Sequence, residues 1–191
     1  MAAFEHVMVL VSFVYAVALT HLLSCTASYI RAWPRLRFSW AYAFWFLNAF
    51  IIIIVNWISF WDMRLLHTFS VGMILFVFLL AFTNYLQAAL VCPEIVPGEE
   101  IDLERFHDEQ GRRYVGAFAV SAGAAIVANV VLGGSFQVQE WLQQNIVVSP
   151  MLVIAVIATI FVHNRWVQYA SGILILAAWA YLLSMLQGAL S

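Results

Sequence analysis

Asn48 and Asn56 flank four consecutive isoleucines in FLNAFIIIIVNWISFWDMR, residues 46–64. Each amide carries two donors and two acceptor lone pairs. Hydrocarbon satisfies none of these, so such groups must turn toward other helices or a hydrated space. At about 100° per residue, Asn48, Ile52, Asn56, Ser59 and Asp62 share one stripe, which leaves Phe50, Ile53 and Ile54 for lipid. A second stripe holds His21, Ser24, Cys25 and Ser28, while Asn84 and Gln87 stand one helical turn apart. Ser121 and Asn129 follow in a segment whose Ala117, Ala124, Ala125 and Ala128 permit close helix approach. The chemistry these residues suggest is a path for a substrate or ion, lined by His21, Asn48, Asn84 and Gln87, with a mouth at Asn56, Ser59 and Asp62. The plainer alternative is that the same amides hold helices together, at about 0.6 kcal/mol per hydrogen bond.

The histidines allow a different chemistry. His6 and His67 belong near one face of a membrane and His21 and His163 near the other. His6 and His21 are about 22 Å apart along a helix, which suits two stacked bis-histidine sites for b-type haem. A metal held by His6, His67, Glu5 and Asp62 is weaker, because no compact ligand motif accompanies them. No catalytic set is recognisable. The chain has no lysine, which excludes Schiff-base chemistry and a P-loop lysine. It has no G-x-S-x-G and no dinucleotide-binding glycine pattern. Cys25 and Cys92 form no C-x-x-C motif, which argues against a disulfide scaffold or an exchange enzyme.

The elements that must position these side chains are dictated by composition. Of 191 residues, 65% are hydrophobic and 9% charged, with a mean hydropathy of +0.94. A soluble domain carries about a quarter charged residues, so the solvent must be lipid. The expected fold is all-α: a single membrane domain over 1–191, with six spans near 4–30, 38–61, 66–92, 114–136, 147–163 and 166–188. The N-terminus lacks a positive n-region, so the first apolar run reads as a retained span. His163-Asn164-Arg165-Trp166 reads as a tight helical hairpin turn, because one long helix would bury Arg165 at its centre.

Seven of the eight arginines fall in loop 31–37, loop 93–113 and the last turn, and Arg64 alone lies opposite. The positive-inside rule then puts those loops in the cytoplasm and both termini outside, in a bacterial inner membrane. Trp33, Trp40 and Trp166 mark the inner boundary, and Trp57, Trp61 and Trp141 the outer. Loop 93–113 should contain a turn at Pro97-Gly98, a helix N-cap at Asp102, and a solvated helix with i,i+4 pairs Asp108–Arg112 and Glu109–Arg113. Residues 137–145 suit an interfacial segment. Two groups of three helices would face opposite ways, as in inverted-repeat transporters, although no shared polar landmark links them.

These features predict a small transporter or channel that is not an enzyme, with the bilayer as its environment and no resident cofactor. The alternatives are a redox subunit binding haem or quinone, and an assembly or signalling subunit. A second copy or partner would dock through loop 93–113. Nothing marks a nucleic-acid surface.

Overall fold

The computed structural model describes residues 2–60, 70–96, 98–132, 148–162 and 164–190. Among them are six α-helices: α1 (Ala2–Arg31), α2 (Trp40–Ser59), α3 (Val71–Val91), α4 (Leu103–Leu132), α5 (Val148–Phe161) and α6 (Arg165–Leu190). Three of these, α1, α2 and α3, are long and apolar enough to cross a membrane. Their outward faces carry Val9, Phe13, Leu47, Ile54, Leu75 and Leu79, all exposed, as a lipid-facing surface requires.

Local sequence sets the helix ends. Ser39 and Ser70 are N-caps, their hydroxyls accepting the backbone N–H of Tyr42 and Met73. Asp102 caps α4, its carboxylate accepting the N–H of Arg105 at 2.9 Å. Between α5 and α6 the helix breaks, as Arg165 demands. The Asn164 side chain accepts from the N–H of Trp166 at 2.9 Å, and α6 folds back along α5.

The central helix is α2, which touches α1, α3, α4 and α6. Its close approach to α6 depends on Gly172, where any Cβ would collide with the Phe44 ring. The core runs through Tyr15, Leu22, Tyr42, Trp45, Ile52, Ile53 and Phe118. Ile53 is thus packed inside, whereas the hydrophobic pattern had offered it to lipid.

At one end the three arginine-bearing loops meet. Leu36–Arg37 (β1) pairs in parallel with Ile101–Asp102 (β2). Arg37 binds Asp102 at 2.9 Å and Glu104 at 3.1 Å, and Glu104 also holds Arg165 at 2.9 Å. Trp33, Trp40 and Trp166 are exposed near this end. Gly98 adopts φ +94°, and Glu99 N–H bonds the Val96 carbonyl, which closes a turn at the expected place.

The polar part of loop 93–113 departs from expectation. It is the first third of α4, continuous with the apolar part, and it is not wholly solvated: Leu103 and His107 are buried. An i,i+4 ion pair joins Arg105 and Glu109 there, at 2.7 Å. Trp61, Trp141, the interfacial segment 137–145 and Arg64 lie outside the described residues.

Candidate functional site

The amides that the sequence singled out do turn inward. Asn48 and Asn84 are fully buried, Gln87 is 1% exposed, and Asn56 is half-buried. They occupy two layers that differ in how their hydrogen bonds are met.

The first layer centres on Asn84 of α3. Its carbonyl oxygen accepts from the Asn56 amide at 3.2 Å and from the Ser121 hydroxyl at 2.9 Å. Its amide donates to the Tyr15 hydroxyl at 3.3 Å and to the Leu80 carbonyl at 3.0 Å. Every donor and acceptor of this side chain is used, and four helices (α1, α2, α3 and α4) are joined through it.

The second layer lies one turn closer to the arginine-rich end. Gln87 and Phe118 stand one turn beyond Asn84 and Ser121 on their helices, and the Trp45 ring packs edge-on against Phe118, centroids 5.6 Å apart. Trp45 and Asn48 share one side of α2, a turn apart. Asn48 Oδ1 accepts from Trp179 Nε1 of α6 at 2.6 Å. The other polar atoms here have no protein partner: Asn48 Nδ2, Trp45 Nε1, and both Nε2 and Oε1 of Gln87. An unmet buried group costs about 1–3 kcal/mol, and more where lipid rather than water surrounds the bundle. Buried groups left unmet call for an explanation. These are mostly N–H donors, with one amide oxygen able to accept.

His21 does not join these residues. Its side chain is exposed, because the buried stripe of α1 runs through Val7, Val11, Tyr15, Ala18, Leu22, Cys25 and Tyr29. That stripe is centred about 80° round the helix from His21. Ser24 is exposed as well. The expected interior lining by His21 is therefore corrected. Ser59 is also exposed, its hydroxyl bonded to the Val55 carbonyl, and Asp62 lies outside the described residues. For the haem alternative, His6 and His21 are both exposed on α1, and His67 and His163 lie outside the described residues.

A further polar group sits where the sequence gave little notice. His107 of α4 is buried and contacts the α5–α6 hairpin. Gln168 Nε2 donates to the carbonyls of Thr159 and Val162, at 3.1 and 2.5 Å, which aims its Oε1 at His107 Nε2, 3.2 Å away. His107 must then donate from Nε2 and accept at Nδ1 from the Tyr114 hydroxyl. Burial pushes the His107 pKa below the ordinary imidazole value, partly offset by Gln168 and Asp108. The adjoining cleft, lined by His107, Asp108, Gly111, Arg112, Thr159 and Gln168, measures about 20 Å³, room for roughly one water. This network locks the hairpin to α4. Nearby, the backbone N–H of Arg105, followed by the Arg37 charge, holds the Asp102 carboxyl below its usual range.

Set against models of protein families, curated proteins and solved structures, the chain matches none of them. Its function has to come from these side chains. Asn48, Asn56, Asn84 and Gln87 were legible as amides that lipid cannot satisfy. Trp45, Trp179 and Tyr15 were not, since aromatic residues in apolar helices carry no sign of which face is buried.

Proposed function

We propose that the chain is a small transporter or channel that recognises a polar solute inside its helical bundle, with Trp45, Asn48 and Gln87 as the recognition groups. In this reading all six helices cross the bilayer. Loops 31–37 and 93–113 and Arg165 face the cytoplasm of a bacterial inner membrane, and both termini lie outside. The meeting of the three arginine-bearing loops at one end supports that orientation.

One observation carries the reading: four polar atoms of three deeply buried side chains have no protein partner, while the amide one turn away has every partner it can hold. Amides that serve only as interhelical glue pair with one another, as Asn84 does. A transport site instead leaves groups for its passenger, and neutral N–H donors beside one carbonyl suit a small solute rich in acceptors. Corrected for the position of His21, the path runs through α2, α3 and α4 and involves α1 only through Tyr15.

The test is permeability. Proteoliposomes are challenged in a stopped-flow light-scattering experiment with a panel of urea, formamide, glycerol and water. At least one solute should cross faster than in protein-free vesicles, and Gln87→Leu should return that rate to the background. If every solute crosses at the protein-free rate, the proposal fails. Orientation is checked separately by labelling single cysteines placed in loop 93–113 and at the C-terminus, which should react from opposite sides.

A further inference from the structure

Trp179 lies on the inward face of α6 with Ser171, Ile175 and Ala178, and is itself buried. Its indole N–H donates to Asn48 Oδ1 of α2 at 2.6 Å. An indole N–H can only donate, whereas an amide has a donating end and an accepting end. The bond therefore settles which way the Asn48 amide is turned. Its oxygen is held at Trp179, and its Nδ2 is left without a protein partner. The indole is kept in reach by the close passage of α6 over α2 two turns earlier, where Gly172 meets the Phe44 ring.

We propose that Trp179 is the positioning residue that sets the solute preference of the second layer, selecting neutral solutes with few donors for each accepting oxygen. This rests on the reading of that layer as a solute site. With Asn48 Oδ1 occupied, three unmet atoms donate (Asn48 Nδ2, Trp45 Nε1 and Gln87 Nε2) and one, Gln87 Oε1, accepts. Each amide nitrogen carries two hydrogens and the indole one. A solute rich in N–H groups meets a single acceptor here, and its remaining donors are desolvated without compensation. Glycerol brings three oxygens with its three O–H groups, whereas urea brings one oxygen with four N–H groups. Trp179 discriminates without touching either, by occupying the acceptor that urea needs. Loss of the indole N–H frees Asn48 Oδ1, and the amide can then turn either end inward.

The experiment compares glycerol and urea in proteoliposomes holding the full chain, each rate taken above that of protein-free vesicles. In the wild-type chain glycerol should cross faster than urea. In Trp179→Phe the glycerol-to-urea ratio should fall by about fivefold, the factor of one neutral hydrogen bond. Replacing Trp179 with 3-benzothienylalanine, which keeps the fused-ring shape with sulfur in place of the N–H, should give the same shift and keeps the test decisive if the phenylalanine variant fails to fold. If no solute crosses above the protein-free rate, the solute-site reading fails and the inference with it. If solutes cross but urea matches glycerol in the wild-type chain, the inference alone is overturned. The same holds if loss of the indole N–H leaves the ratio unchanged, including where both rates fall in parallel, because Trp179 then serves packing only.

Discussion

Asn84 and Gln87 are amides one turn apart on the same helix, equally hidden, and they are handled in opposite ways. Asn84 is met by Tyr15, Asn56, Ser121 and the Leu80 carbonyl. Gln87 is met by no protein atom at either end of its amide. A buried amide in a membrane helix is thus not one kind of feature. Where its partners come from neighbouring helices, it is an assembly device. Where they do not, its desolvation is a cost that no protein atom offsets. Substitution can separate the two, because the same change, amide to leucine, should have unlike consequences at the two positions.

The largest effect is expected at the satisfied amide. Asn84→Leu leaves Asn56, Ser121 and Tyr15 without their partner, and stability should fall by about 3 kcal/mol, the upper end for an orphaned buried network. Denaturant titration in mixed micelles reads this directly. A near-neutral result would erase the distinction between the layers. Next comes Gly172→Ala, which forces α6 off Phe44 and should cost about 2 kcal/mol by overpacking. Because α6 carries Trp179 to Asn48, the change should loosen the second layer and spare the first. Tryptophan fluorescence should report it, and Phe44→Leu in the same chain should recover part of the loss.

A smaller effect belongs to the locked hairpin. The His107 pKa is depressed by burial, so the unfolded chain binds the proton more readily than the folded one. Stability contributed here is full above the ordinary imidazole value of about 6.5 and falls as pH drops below it. Thermal midpoints should decline over that range in the wild-type chain, and the decline should shrink in His107→Phe. An unchanged slope would mean that other groups set the pH dependence.

The inward amides could be read from the sequence because their need is absolute: apolar helices have no other place to put them. His21 could not. Its stripe was defined with Ser24 and Ser28, yet hydroxyls in a helix can satisfy themselves. Ser28 bonds the Ser24 carbonyl at 3.0 Å, Thr26 that of Leu22 at 2.9 Å, and Thr20 that of Ala16 at 2.7 Å. Such residues carry no information about which face is buried, and the pattern that follows them turned the helix by roughly one residue. The six helical segments were evident from apolar run length, and the break before Arg165 from the cost of burying that charge. The continuity of α4 through Gly111 was less evident, because polar composition suggested a separate solvated helix. Loop contacts such as Arg37–Asp102–β pairing, and the reach of Trp179 to Asn48 across the bundle, depend on tertiary packing that local pattern does not encode.

The most direct measurement is the paired behaviour of Gln87→Leu. If Gln87 waits for a solute, removing its unmet amide should leave stability unchanged or raise it by up to about 1 kcal/mol, while solute permeability in proteoliposomes falls to the protein-free rate. A loss of stability comparable to that of Asn84→Leu, with permeability retained, would show that Gln87 is structural glue and contradict the account.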